Sequence, residues 1–112
     1  MSFSEFTKED YDLIRRSYEA LMPKVRKRCR DEEEVAVVEK AFEFANAAHR
    51  NIRRRSGVPY IIHPIEVAGI VVEEIGLGYK SITAALLHDV VEDTNNTVDD
   101  IRNLFGDKVA QL

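Results

Sequence analysis

The chain has 112 residues, enough for one small domain, and 45% of them are hydrophobic, so a core is feasible. Its net charge is −4 with 32% charged residues, a balance that argues against general nucleic-acid binding. No apolar run approaches the length of a membrane span, no secretion signal opens the chain, and the single Cys29 excludes an intramolecular disulfide. We therefore expect a cytoplasmic protein with neither a membrane partner nor direct DNA binding.

The first helix is marked by its cap and by its basic end. Thr7-Lys8-Glu9-Asp10 has the pattern of a capping box, and apolar residues follow it at helical spacing. Pro23 is expected to kink or interrupt this helix, because proline lacks the backbone donor. Five basic residues lie in the run 24–30, and the acidic run 31–34 follows at once and cancels their field. We therefore interpret the basic run as a helix C-terminal turn and not as a nucleic-acid patch.

The acidic run begins a second helix, since negative charge suits a helix N-terminus. This helix runs to about His49, and Ala41, Ala45 and Ala48 are small enough for close packing against a neighbour. His49 itself is interpreted as a helix C-terminal cap. A loop of residues 50–62, marked by glycine and proline, follows.

The third and fourth helices flank a glycine-containing turn. Pro64 suits the first position of the third helix, which leaves His63 near its cap. Gly76 and Gly78 are expected to end that helix. The fourth helix is predicted from about Tyr79 to Asp93.

Two short helices complete the predicted fold. A capping box at Thr97-Val98-Asp99-Asp100 opens one helix that Gly106 stops, and Asp107 resembles the N-cap of another. Because that last helix has barely begun when the sequence ends, we expect residues 1–112 to form the N-terminal part of a single domain, incomplete at its C-terminus. No strand pattern of period two appears, so we predict an all-α bundle of about five to six helices.

The last turns of the fourth helix hold the stretch around which the chain is organised. There His88, Asp89, Glu92 and Asp93 fall within an arc of about 140°, while the rest of the helix is apolar. Such a helix is usually buried, and three carboxylates beside a histidine repel one another unless a positive group lies among them. The simplest such group is a metal cation, and His63 offers a second imidazole. The alternative for His88 and Asp89 alone is a hydrogen-bonded pair on a helix surface.

The loop before His63 carries Arg53-Arg54-Arg55, followed by Ser56-Gly57. Guanidinium groups match phosphate geometry through paired hydrogen bonds, and they also stack on bases. A loop that leads directly into a metal ligand lies close to the metal, so these arginines are candidates for holding a phosphorylated substrate. The alternative is a solvated loop.

Two segments carry a resemblance to a known family. Residues 54–64 (RRSGVPYIIHP) and 86–94 (LLHDVVEDT) resemble the N-terminal hydrolase domain of the RelA/SpoT homologue family, which belongs to the HD-domain metal-dependent phosphohydrolases. The similarity runs from about Glu39 to the C-terminus, with both segments in the same order and at a similar separation. It implies an HD-domain-like helical bundle.

The resemblance also implies a reaction and residue roles. The family removes the 3′-pyrophosphate of (p)ppGpp, giving GDP or GTP and pyrophosphate, normally with Mn²⁺. The matching residues are His63, His88 and Asp89 for the metal ligands, Glu92 and Asp93 for the acidic pair that positions or activates the attacking water, and Arg54, Arg55 and Ser56 for the loop that contacts guanine and phosphates.

One departure from the family pattern limits these expectations. The fourth metal ligand of the family, an aspartate on a later helix, has no match before the end of the chain. We therefore expect the 112 residues to be inactive or nearly so and to self-associate through an exposed apolar face. Independently of this departure, the resemblance implies a parent protein that is also a (p)ppGpp synthetase. Two alternatives stay open: another HD-type nucleotide phosphohydrolase, and a non-catalytic helical regulatory fragment.

Overall fold

The computed structural model describes residues 1–75, 78–94 and 96–111. In chain order its elements are β1 (Ser2–Phe3), α1 (Lys8–Arg28), α2 (Glu32–Ala48), β2 (Ile52–Arg53), α3 (Ile62–Ile70), α4 (Tyr79–Leu87), α5 (Val90–Asp93), α6 (Val98–Phe105) and α7 (Asp107–Gln111). A π-helical turn at Val71–Ile75 extends α3. The architecture is the predicted all-α bundle, in which α4 and α5 together replace the fourth predicted helix.

Capping residues set the helix ends where the sequence predicts them. The backbone N–H of Asp10 donates to Thr7 Oγ1 at 3.2 Å, and the N–H of Thr7 donates to the Asp10 carboxylate at 2.8 Å. The same reciprocal bonds join Thr97 and Asp100 at the start of α6. Gly106 ends α6 with a φ of +93°, a conformation that glycine adopts at little cost.

Helix α1 continues through Pro23, so the expected interruption is wrong. Proline removes only one backbone donor, and its neighbours Leu21, Met22 and Val25 are buried, so the core holds the helix on both sides of it. The basic run ends α1 as predicted.

Helix α3 begins at Ile62, two residues before the predicted start at Pro64, so His63 lies within the first turn. Pro64 is tolerated there because first-turn N–H groups have no partner within the helix. Gly78 is the N-cap of α4 instead of the end of α3, whereas Gly76 lies outside the described residues.

A short β-ribbon is the element that sequence analysis missed. Strands β1 and β2 pair antiparallel, with Ser2 opposite Arg53 and Phe3 opposite Ile52. Strands of two residues are too short to show a period-two pattern. The ribbon joins the N-terminal segment to the loop that leads into α3, and so fixes one edge of the predicted site.

The core lies where α1, α2, α3 and α4 meet. Its fully buried apolar side chains are Val25, Val38, Ala41, Ala45, Ile61, Ala68, Ile82, Leu86 and Val90. The small side chains of Ala41 and Ala45 let α2 approach α4 closely, as predicted. This packing places the end of α2, the start of α3 and the end of α4 side by side. Within the described part of the chain, no helix combines the length and hydropathy that a membrane crossing needs.

Candidate functional site

The three predicted metal ligands line one pocket of about 400 Å³ between α3 and α4. His63 comes from the first turn of α3, and His88 and Asp89 follow the last turn of α4. The rest of the wall is mostly apolar and includes Pro64, Val67, Val71, Ser81, Ala84 and Ala85. The fold therefore brings residues that are far apart in the sequence to the wall of one pocket, while their role as ligands stays a prediction.

The predicted stripe of ionisable groups does not lie on one continuous helix. Helix α4 ends at Leu87 and α5 begins at Val90, and Asp89 between them has a ψ of −6° where an α-helix has about −42°. The N–H of Asp93 still donates to Asp89 O at 2.9 Å, so the spacing of four residues survives the break. Glu92 is exposed, whereas the Asp93 side chain is only 17% exposed.

Asp89 is held at both carboxylate oxygens. The Tyr60 hydroxyl donates to Oδ2 at 2.7 Å, and His88 Nδ1 lies 3.1 Å from Oδ1. Burial acts to raise the pKa of Asp89, but these hydrogen bonds and the charges of His88 and His63 outweigh it, so that pKa is lowered. Burial, together with the bond to Asp89, raises the pKa of Tyr60. Asp89 therefore stays an anion and Tyr60 a neutral donor at neutral pH.

The donor types in this pocket suit a divalent cation, since two imidazoles and a carboxylate are common ligands. Among residues 1–75, 78–94 and 96–111, however, no three His, Cys, Asp or Glu side chains lie close enough together to hold an ion. His88 is turned towards its neighbour Asp89, and its side chain is 70% exposed, so little packing fixes it. The residues fit a cation in kind, but their side chains are not placed to hold one jointly.

The predicted substrate loop lines a second pocket of about 550 Å³. Arg54, Arg55 and Ser56 are exposed there, and Tyr60 forms part of the same wall. Because the Tyr60 hydroxyl also bonds Asp89, this one side chain connects the arginine loop to the predicted metal ligands.

Arg53 is not part of an anion clamp, so that interpretation of the arginine run is wrong for its first member. Its guanidinium donates to Asp10 Oδ2 at 2.7 Å, to Glu5 O at 2.7 Å and to Gly57 O at 2.9 Å. The bond from Arg53 is the largest cause that lowers the pKa of Asp10 to about 2. Arg53 faces the start of α1 because it lies in β2, and it ties the N-terminal segment to the loop.

His49 is the residue near the site that sequence analysis undervalued. It caps α2, as predicted, but its side chain is fully buried, its ring stacks on Tyr60 with centroids 4.8 Å apart, and its Nε2 lies 3.5 Å from Asp93 Oδ2. A signal was present: His49 follows Ala41 and Ala45 at intervals of four, which places it on the buried face of α2.

Comparison with known proteins defines the class of this domain. The family model described as HD domain matches residues 41–112, a range that contains every predicted site residue. An HD domain is thus the class that the helical bundle and its histidine–aspartate pocket represent.

Curated relatives narrow the class further. The chain is 45% identical over 75 residues to the guanosine-3′,5′-bis(diphosphate) 3′-pyrophosphohydrolase of Aquifex aeolicus, covering 67% of this chain and 11% of that protein. It is 46% identical over 81 residues to the bifunctional (p)ppGpp synthase/hydrolase SpoT of Escherichia coli K12, covering 72% and 11%. It is 43% identical over 76 residues to the GTP pyrophosphokinase of Myxococcus xanthus, covering 68% and 10%.

The chain belongs to the HD domain family and, within it, to the RelA/SpoT family. It spans 10% to 11% of the length of these three relatives. Their names include both hydrolases and a pyrophosphokinase, so the names alone do not define one activity.

Proposed function

We propose that the protein carrying this chain is a guanosine-3′,5′-bis(diphosphate) 3′-pyrophosphohydrolase that removes the 3′-pyrophosphate of (p)ppGpp in stringent-response control. One observation supports this most: Tyr60 borders the pocket of Arg54 and Arg55 and donates its hydroxyl to Asp89, which lines the pocket of the histidines. A phosphate-binding loop and a set of metal-binding residues are the two parts that hydrolysis of a nucleotide diphosphate requires.

In this proposal His63, His88 and Asp89 hold Mn²⁺. When bound, such an ion would lower the pKa of a coordinated water and polarise a phosphate oxygen. Asp89 is anionic whether or not an ion is present, because hydrogen bonds lower its pKa against the effect of burial. Tyr60 orients that carboxylate, as outer hydrogen-bond partners of metal ligands commonly do.

Glu92 and Asp93 act on the attacking water. Both residues lie within one turn of Asp89, and we assign their carboxylates to a water held beside that ligand. Asp93 is the more enclosed of the two, so it is the better candidate to accept a proton, while the exposed Glu92 orients the water.

Arg54, Arg55 and Ser56 bind the nucleotide. All three are exposed and line one pocket, so their side chains are available to phosphate oxygens and to the guanine ring. Positive charge at the diphosphate also offsets the negative charge that develops on it during reaction.

We further propose that a synthetase accompanies this domain in the parent protein, and that the 112 residues alone hydrolyse (p)ppGpp weakly. The second point is supported by the described residues, in which no three donors lie close enough to hold an ion.

A second copy of the chain is the expected occupant of an apolar groove of about 170 Å³ beside α4, α6 and α7. The groove is lined by Ala84, Leu87, His88, Val91, Val98, Ile101, Val109 and Ala110. Size-exclusion chromatography with light scattering tests this, and a clean monomer contradicts it.

The experiment that tests the function is an assay of pyrophosphate release from ppGpp by the full-length protein with Mn²⁺. We expect GDP and pyrophosphate as products, and loss of both with Asp89→Asn. Glu66→Gln is the matched control, because Glu66 is an exposed acid on α3 away from the histidine pocket. Turnover of other phosphate esters without release of the 3′-pyrophosphate would contradict the proposal and favour a different HD phosphohydrolase.

A further inference from the structure

His49 occupies an unusual place for an ionisable side chain. It is the C-cap of α2, where its backbone N–H donates to Ala45 O at 3.0 Å, and its side chain is fully buried. Buried polar atoms in folded proteins are nearly always hydrogen-bonded, so each ring nitrogen of His49 needs a partner.

The partner of Nδ1 is in the same helix. Nδ1 lies 3.2 Å from Ala45 O, and a carbonyl oxygen only accepts, so Nδ1 carries a proton and donates it. One face of the ring is covered by Tyr60, whose ring lies nearly parallel at 28°. The ring is therefore fixed in position and orientation, and Nε2 is left to be satisfied.

Nε2 points at a carboxylate of the predicted acidic pair. It lies 3.5 Å from Asp93 Oδ2, and both atoms are buried without a hydrogen-bond partner among the described residues. Hydrogen bonds of this kind close at about 2.7–3.2 Å, so a shift of a few tenths of an ångström pairs the two atoms. Such contacts are often long in structures without a bound substrate.

We propose that His49 is a positioning residue for Asp93: with both ring nitrogens protonated, Nε2 donates to Oδ2, which fixes the carboxylate and leaves its other oxygen for the attacking water. This inference rests on the proposed function, which gives Asp93 its role. The stacked rings of His49 and Tyr60 then lie against both acids: Tyr60 bonds Asp89 and is also close to Asp93, and His49 bonds Asp93.

A purely structural role for His49 predicts different behaviour, and two substitutions separate the roles. The amide nitrogen of asparagine lies about as far from Cβ as Nδ1 of histidine, so His49→Asn keeps the bond to Ala45 O but cannot reach Asp93. The amide nitrogen of glutamine lies about as far out as Nε2, so His49→Gln keeps the donor to Asp93 instead. Thr83→Val is the control, since Thr83 Oγ1 is another buried atom without a described partner and lines neither pocket.

The first measurement is kcat and KM for ppGpp with Mn²⁺ in the full-length protein. We expect His49→Asn to lower kcat about tenfold with little change in KM, and His49→Gln to restore most of it. Thr83→Val should leave both constants unchanged. In an Asp93→Ala background, His49→Asn should lower kcat no further, because its effect acts through Asp93. Equal losses in the two His49 variants, an unchanged kcat, or additive losses in the double variant would overturn the inference.

The second measurement does not depend on activity. Long-range proton–nitrogen spectra of the 112-residue chain report each ring nitrogen, and His49, His63 and His88 are its only histidines. We expect the Nε2 signal of His49 to change in Asp93→Ala while its Nδ1 signal stays, and an unchanged Nε2 signal would overturn the inference. If wild-type protein does not turn over ppGpp, the proposed function fails, and these spectra still decide whether His49 and Asp93 are bonded.

Discussion

The inner and outer sides of the candidate site are held in different ways. On the inner side, His49 and Tyr60 stack in the interior and lie against the carboxylates of Asp93 and Asp89. On the outer side, His88 and the arginine loop of residues 54–55 face solvent. The fold therefore orients the inner groups without a ligand, whereas packing does little to orient the outer groups.

Removal of a predicted metal ligand should have the largest effect. Asp89→Asn retains an oxygen that accepts from Tyr60 but loses the negative charge, so we expect the fold to persist and Mn²⁺-dependent hydrolysis to fall by at least about 100-fold. Turnover by the full-length protein and circular dichroism measure the two outcomes. Glu66→Gln should leave both unchanged, and an active Asp89→Asn would remove this residue from the site.

The adjacent residues Arg53 and Arg54 should differ in role: Arg53 should contribute to stability and Arg54 to ppGpp binding. Arg53→Lys loses the planar group that bonds Asp10, Glu5 O and Gly57 O, so we expect a lower free energy of unfolding in urea. Arg54→Lys should leave the stability unchanged and weaken ppGpp binding, because Arg54 is exposed in its pocket. Equal stability of the two variants would contradict the separation of roles.

Loss of the hydrogen bond from Tyr60 to Asp89, which connects the two pockets, should have an intermediate effect on kcat. Tyr60→Phe keeps the stack on His49 but removes the hydroxyl that donates to Asp89, so we expect kcat for ppGpp to fall about tenfold. Tyr11→Phe is the control, since Tyr11 is 43% exposed and remote from both pockets. A Tyr60→Phe variant with wild-type kcat would show that Asp89 needs no such orientation.

The ion pair of Asp10 with Arg53 should also appear in the pH dependence of stability, because its contribution is present at neutral pH and is lost in acid. Because the pKa of Asp10 is lowered from 3.8 to about 2 in the folded chain, its contribution is complete above 3.8 and is lost as the pH falls through about 2. Wild type should therefore lose stability over this range more steeply than Asp10→Asn. Asp12→Asn, which alters an exposed acid next to Arg15, should follow the wild-type curve.

The sequence predicted the helices well because their caps and periodicity are local signals. Thr7 and Thr97 mark their helix starts through bonds to residues three positions on. The prediction at Pro23 was wrong because the effect of a proline depends on the packing around it. The break at Asp89 was missed because no proline or glycine marks it in the sequence. A sequence pattern contains no information about tertiary contacts, so features that depend on them were not predicted.

The sequence predicted which residues share a pocket better than it predicted how they are arranged, and their roles stay predictions. The shared pocket of His63, His88 and Asp89 could be expected from residue types and from resemblance. The bond of Arg53 to Asp10 and the contact of His49 with Asp93 could not be predicted. Both join residues that lie more than forty positions apart in the sequence.

The most direct test of one joined site is a titration of the isotopically labelled 112-residue chain with excess Mn²⁺, because we expect these residues alone to bind the ion weakly. The readout is the paramagnetic broadening of the NMR signals. We predict that signals of residues 60–63 and 88–93 broaden first, that Asp89→Asn prevents this, and that ppGpp then shifts the signals of Arg54 and Arg55. Broadening spread over exposed acidic residues elsewhere, or unaffected by Asp89→Asn, would contradict the account.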